Sequence, residues 1–271
     1  ELPVEAAIKT VTRHNDVSCA NVAAILQGSD PALRHEFVVV TAHLDHLGMG
    51  QPVDGDAIYN GAYDNATGIA ALIEAARALS SLPEPPSRSV IFVAVTGEEM
   101  GLIGADYFAH YPTVPREMIV ANINIDGLAI LFDPVDVVAY GGEHSTLIKA
   151  VARSTSRLGL TISPDPMPEE AFFIRQDAYP FVLQGIPAVY VDNGTKTVDP
   201  DLDGAARVQE WLETLYHTPK DDIDQPMNFD AAAKHARLHF LIAYEVASNP
   251  ERPAWNPGDF FGETFGRQGG G

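Results

Sequence analysis

The chain has 271 residues, and 46% of them are hydrophobic, the composition of an ordinary globular protein able to bury a full core. Seventeen basic against 37 acidic residues leave a formal charge of −20, which repels phosphate backbones, so no nucleic acid partner is expected. The lone Cys19 excludes an intrachain disulfide framework and a cysteine-based zinc site, and no apolar run approaches the roughly 20 residues of a membrane span. Because the chain begins at Glu1 rather than Met, it reads as a processed or trimmed product from which any signal peptide would be lost from view, and a secreted or periplasmic location is expected.

In chain order, Val4 to Thr12 and Ala20 to Gln27 read as two extended segments broken by His14 to Asp16, a hairpin at a sheet edge. Glu36 to Ala42 is apolar on both faces, as a central strand covered by helices on both sides must be. Met49 to Ala62 is rich in Gly and Asp without apolar periodicity, a loop. A helix is expected from Ala66 to Ser80, with Ile69, Leu72, Ile73, Ala76 and Leu79 on its inner face, stopped by Pro83, Pro85 and Pro86. Ser89 to Thr96 and Met118 to Ile125 are two more buried strands, separated by a short helix from Leu102 to Tyr111.

Further on, strands are expected at Val135 to Tyr140, Leu160 to Ile162 and Ile186 to Val191. Helices are expected at Ser145 to Leu158, Arg207 to Tyr216 and Phe229 to Ala247. The alternation of strand and helix predicts a largely parallel, doubly wound α/β sheet in one domain spanning residues 1–249. Residues 250–271, with Pro, Gly and isolated aromatics, read as an irregular, partly disordered tail.

Three buried strands each run out into polar residues: His43 with Asp45 and His46, then Glu98 with Glu99, then Asp126. Ligands of open α/β sheets bind at the carboxyl ends of the strands, so these side chains converge. Asp64, at the entrance to the first long helix, is either a further ligand or, with Asn65, only a helix cap. His217, in Tyr216-His217-Thr218-Pro219, is the fifth candidate. Two imidazoles and three carboxylates suit zinc or a similar borderline cation better than calcium. Five donors exceed one catalytic zinc and suit two ions about 3.5–4 Å apart that share a carboxylate.

The ordered set of HLD at His43, YDN at Asp64, EE at Glu98, INIDG at Asp126 and YHTPKDD at His217 resembles the di-zinc metallopeptidases of clan MH. That superfamily includes the leucyl aminopeptidases and aminopeptidase Y, with relatives among the glutamate carboxypeptidases and the transferrin receptor. The resemblance covers roughly Ala20 to Ala247. It implies a three-layer α/β/α sandwich around a mostly parallel mixed sheet, of the zinc peptidase (phosphorylase/hydrolase-like) type, holding two Zn²⁺ per chain.

The same resemblance implies the roles. Asp64 bridges the two ions, His43 and Asp126 complete one site, and Glu99 and His217 complete the other. Asp45 orients His43, the Asp64-Asn65 peptide is cis, and Glu98 is the general base that takes a proton from a water between the ions and passes it to the leaving amine. The implied activity is removal of N-terminal residues from peptides by a monomer without a membrane or nucleic acid partner. Relatives often carry a protease-associated domain for which this chain has no room.

The region Phe172 to Ala188 resembles the family's substrate pocket, where many relatives have Ser-Asp-His and this chain has Gln176-Asp177-Ala178. His46, Arg175, Asp177 and Tyr179 are the substrate-binding candidates, with His46 as pocket wall, and Asp221 and Asp222 are expected as turn residues or supports behind the ligands. The alternatives are a carboxypeptidase or a glutaminyl cyclase of the same superfamily, or a receptor-like module without catalysis. Retention of all five ligands and the base counts against the last two.

Overall fold

The computed structural model describes residues 7–13 and 16–266. Strand β1 (Val22–Leu26) is followed by β2 (Phe37–His43), the hairpin β3 (Gly48–Val53) and β4 (Asp56–Tyr59), helix α1 (Gly68–Ser80), β5 (Ser89–Val95), α2 (Ile103–His110) and β6 (Ile119–Asn124). Then come β7 (Asp136–Tyr140), α3 (Leu147–Arg157), β8 (Thr161–Ser163), α4 (Tyr179–Leu183), β9 (Ala188–Asn193), α5 (Gly204–Thr214), α6 (Phe229–Ser248) and α7 (Phe260–Phe265). Among the described residues one sheet has seven strands in the order β1-β5-β2-β6-β9-β7-β8. Its centre, β5-β2-β6-β9, is parallel, while β1 and β7 run antiparallel to their neighbours β5 and β9.

The period-two alternation of β2 divides the core. Val38, Val40 and Ala42 face a layer built from Leu72, Ala75 and Leu79 of α1, Ala150 and Val151 of α3, and Leu238, Ile242 and Val246 of α6. Val39 faces the opposite layer, with Phe108 of α2 and Phe181 and Val182 of α4. Each central strand is buried on both faces, which is why its sequence is largely apolar rather than alternating, with the buried polar residues Thr41, Asn122 and Asn124 hydrogen-bonded to one another. The result is the three-layer α/β/α sandwich with a mixed, mostly parallel sheet. None of the described helices is long and apolar enough to cross a membrane.

Four expectations change. In the first segment, residues 7–13 and 16–21 contain no strand, so the edge of the sheet is β1 alone, paired with β5; the rest of the expected hairpin partner lies outside the described residues. The stretch read as a loop from Met49 to Ala62 contains the β3–β4 hairpin, whose exposed strands bear no hydrophobic alternation. On α1, Leu72 and Leu79 are buried as expected and Ile69 and Ala76 pack on the core partly buried, but Ala71 and Ala75 complete the inner face while Ile73 stands in solvent. Residues 250–266 are not irregular throughout: Asp259 caps α7, and Trp255, Phe261 and Phe265 pack on the layer of α2 and α4. Residues 267–271, part of the expected disordered tail, lie outside the described residues.

Candidate active site

The parallel register brings the predicted residues to one edge of the sheet. His43 ends β2 opposite Val95, the last residue of β5, so Glu98 and Glu99 emerge beside it. Thr41 pairs with Asn124 at the end of β6, which places Asp126 on the other side. Gly97 (φ 71°) and Gly127 (φ 67°) turn the chain sharply off these strands in a conformation that side chains with a Cβ resist.

Asp64 lies in the Ala62–Thr67 turn leading into α1, where Asp64 and Asn65 depart from helical geometry and the peptide between them is cis. The two readings of this turn separate into two residues. Asn65 is the cap: its Oδ1 accepts from Gly68 N at 3.0 Å and from Gly127 N at 2.9 Å, and its Nδ2 donates to Ile125 O at 3.1 Å. Asp64 is thereby free to face the site. Asp221, fully buried, accepts from Tyr63 N at 2.8 Å and Asp64 N at 3.0 Å, and its own carbonyl accepts from Ala62 N at 3.0 Å. It thus ties the turn of Asp64 to the loop of His217. That histidine adopts φ 54°, a conformation open to few residues other than Gly, Asn, Asp and His. Tyr216 stacks on its ring at 3.8 Å.

All five predicted ligands meet here, and Asp64 stands between two groups. His43 Nε2 lies 3.1 Å from Asp64 Oδ1 and 3.3 Å from Asp126 Oδ1. His217 Nε2 lies 3.3 Å from Asp64 Oδ2 and 3.1 Å from Glu99 Oε2. Donors about 2.0–2.2 Å from a tetrahedral zinc sit roughly 3.3 Å from one another, so both groups have the spacing of a zinc site. His43, Asp64 and Asp126 form one group able to hold a metal ion, and His46, Asp64 and Glu99 another. His217 Nε2 and Glu99 Oε1 are buried without hydrogen-bond partners, as donors awaiting a cation are.

The electrostatics agree. Burial alone would lower the pKa of His43, but Asp126 and Asp64 outweigh it and raise it strongly. His217, against the same burial, is raised to about 9 by Asp64 and Glu99. Burial would raise Asp64 and Glu99, yet the facing imidazoles hold both below the ordinary carboxylate range. These carboxylates demand positive charge between them, and a divalent ion meets that demand. Glu98 is the exception: burial, with Asp126, Asp177 and Glu99 adding to it, pushes it up to about 9. Among the described residues its carboxyl has no hydrogen bond or ion pair, and only its main chain is held, Glu98 N donating to Asp45 Oδ1 at 3.3 Å.

That contact corrects the expected role of Asp45. The group next to His43 Nδ1 is the Asp45 main-chain carbonyl, at 3.0 Å, while the carboxylate positions the Glu98 backbone. With Nδ1–H donated to a carbonyl, Nε2 is left to present its lone pair to the site.

The substrate-binding candidates divide: His46 and Asp177 lie at the cluster, and Arg175 and Tyr179 are engaged elsewhere. Arg175 is exposed, pairs with Glu170 at 3.3 Å and lies over the Phe172 ring. Tyr179 is half-buried between Phe173 and Phe261, a packing role. Asp177 has no exposed surface to offer a substrate; burial and the nearby Asp126 and Asp45 push it up to about 7. Gln176 accepts from Asn124 Nδ2 at 3.3 Å. His46 does not stand as a pocket wall: its side chain is 5% exposed and its Nδ1 is 2.6 Å from Glu99 Oε1. Tyr190, absent from the sequence-based set, donates to Asp126 O at 3.1 Å. An aromatic in the interior of a strand carries no mark of such a role.

Comparison with known proteins places this geometry. The chain is 23% identical over 258 residues to Aminopeptidase YwaD of Bacillus subtilis, covering 92% of this chain and 49% of that protein. Its fold is similar to BSAP, a zinc aminopeptidase from Bacillus subtilis, with a TM-score of 0.62 at 21% identity over 86% of this chain and 51% of that one. It is also similar to the glutaminyl cyclase of Porphyromonas gingivalis, with a TM-score of 0.58 at 18% identity over 82% of this chain and 76% of that one. The chain thus spans about half the length of the aminopeptidases it resembles. The profile of peptidase family M28 matches residues 21–243, and the chain belongs to that family.

Proposed function

We propose that the chain is a zinc-dependent metallo-aminopeptidase that hydrolyses the N-terminal peptide bond of peptides. The observation that carries the reading is Asp64, whose two oxygens face two separate groups of donors, His43 with Asp126 and His217 with Glu99. These five residues would hold two zinc ions, with Asp64 shared. Bound zinc lowers the pKa of a water and polarises a carbonyl, which supplies a nucleophile near neutral pH.

The chain's own residues do the rest. Glu98 is the acid of the cluster that no side chain engages; burial and its acidic neighbours push it up to about 9, and two zinc ions beside it would favour the carboxylate, which then takes a proton from the attacking water and returns it to the leaving amine. Asp45 fixes the Glu98 backbone and, through its carbonyl, the His43 tautomer. The net charge of −20 favours approach of a cationic peptide amino terminus over that of an anionic ligand. The cyclase resemblance supports a second reading of the same pocket, against which stand the two complete donor groups.

Metal content together with hydrolysis of aminoacyl p-nitroanilides and of a glutaminyl peptide, for native protein and Glu98→Gln, tests the reading. Close to two zinc per chain are expected in both proteins, with rates about 10²–10⁴-fold lower in Glu98→Gln. Full activity in Glu98→Gln overturns the base. A native protein without metal overturns the mechanism, and cyclisation of the glutaminyl peptide without peptide-bond cleavage establishes the cyclase instead.

A further inference from the structure

His46 is the histidine the five-ligand scheme leaves over, and its surroundings are those of a ligand. Its ring is buried beside Asp64, Glu99 and His217, edge-on to the His217 ring at 5.5 Å. Nδ1 lies 2.6 Å from Glu99 Oε1 and 3.9 Å from Asp64 Oδ2. A separation of 2.6 Å would suit a strong hydrogen bond, yet the N–H direction misses: neither ring nitrogen of His46, nor Glu99 Oε1, has a hydrogen-bond partner. The same pattern marks His217 Nε2, which sits within 3.3 Å of two carboxylates and is aligned on neither.

The backbone holds the ring there. Gly61, at φ 66°, lies against it so closely that a Cβ would come within 2.6 Å of His46 Cγ. His46, Asp64 and Glu99 each offer one ligand atom within 4.8 Å of the others, and His217 Nε2 flanks the group beside Asp64 Oδ2 and Glu99 Oε2. Their separations of 2.6, 3.1, 3.3 and 3.9 Å straddle the roughly 3.3 Å edge of a zinc tetrahedron.

On the two-ion reading above, we infer that His46 is a ligand of the second ion through Nδ1. The two sites are then unequal. The second is closed by four protein donors, as structural zinc sites are, and holds its ion more tightly. The first, with His43, Asp64 and Asp126, has three and keeps the open position at which substrate is handled.

Zinc affinities measured by competition with a chromogenic chelator, on native protein, His46→Ala and His46→Asn, test this. The native protein is expected to bind two ions with distinct affinities, and both variants to lose more than tenfold at one of them while keeping the other. Recovery of native affinity in His46→Asn, whose amide can still donate a hydrogen bond to Glu99, overturns the ligand and leaves only a hydrogen bond. Unchanged affinity in both variants overturns it too. Zinc-edge X-ray absorption on the native protein needs no variant and stands even if both misfold: three imidazoles over two ions are expected, and two overturn the inference. Uptake of fewer than two zinc by the native protein instead overturns the two-ion reading beneath it.

Discussion

Asp221→Asn probes how the site is held before any metal arrives. The Asp221 carboxylate accepts from two adjacent peptide N–H groups, of Tyr63 and Asp64, and from the Gln225 amide. An asparagine keeps one acceptor oxygen and turns an NH₂ toward the other peptide N–H. It forfeits one charge-assisted hydrogen bond, worth about 1.5–3 kcal/mol, and leaves a buried donor facing a donor at a further cost of about 1 kcal/mol, so a loss of about 2.5–4 kcal/mol is expected. For a chain of 271 residues the unfolding entropy is about 0.6 kcal/mol/K, which converts the loss to a drop in Tm of about 4–7 °C. Calorimetry in the presence of a chelator isolates this effect from metal binding. Zinc affinity should fall in parallel, because the tether runs through Asp64 N. Asp222→Asn is the control: its Oδ1 accepts only from Asp224 N, a bond an asparagine oxygen retains, so Tm should hold. A Tm for Asp221→Asn within a degree of native, with native zinc affinity, would refute the tether.

Two further predictions concern the frame. His239, fully buried on α6, is pushed down to about 4 by burial, whereas an unfolded histidine titrates near 6.5. Between those values the unfolded chain binds the extra proton, so stability is fully present above pH 6.5 and falls as pH drops toward 4, by about 3 kcal/mol in all; urea unfolding at pH 7 and pH 5 should show His239→Gln losing part of that slope, and an unchanged slope would exclude the residue. Trp255 packs on Phe261 and Gly262 and donates to Gly185 O at 3.2 Å, so Trp255→Ala should cost about 2–3 kcal/mol, or about 4–5 °C in Tm, with zinc uptake at 25 °C intact; an unmoved Tm would return residues 250–266 to an idle tail.

What the sequence discloses and conceals follows from how each feature is encoded. The three central strands are legible because burial on both faces demands largely apolar runs such as Phe37 to Val40, and a charged or titratable residue just past such a run stands out. His43, Glu99 and Asp126 are legible for that reason. Asp64 needs its place in an ordered set, since Tyr63-Asp64-Asn65 reads equally as a cap, and the structure gives the cap to Asn65. The β3–β4 hairpin leaves no mark because both its faces are wet and its strands carry Gly and Pro. The Asp45 contact to His43 is made by a main-chain carbonyl, which every residue possesses, so residue identity pointed to the carboxylate instead. The position of His46 depends on the missing Cβ of Gly61, fifteen positions away, a steric relation that only three dimensions reveal.

The hairpin also decides what in this fold is free to vary. It departs after His46 and returns before Gly61, so it lies between two parts of the donor cluster. Gly48 and Tyr59 are paired across its base, which pins the ends of the excursion together. The tip reaches back to the cluster through Asp54, whose Oδ2 lies 3.0 Å from Lys220 Nζ on the loop that carries His217. Exchange of this hairpin therefore has to keep two connections, the Gly48–Tyr59 pairing at its base and the Asp54–Lys220 pair at its tip.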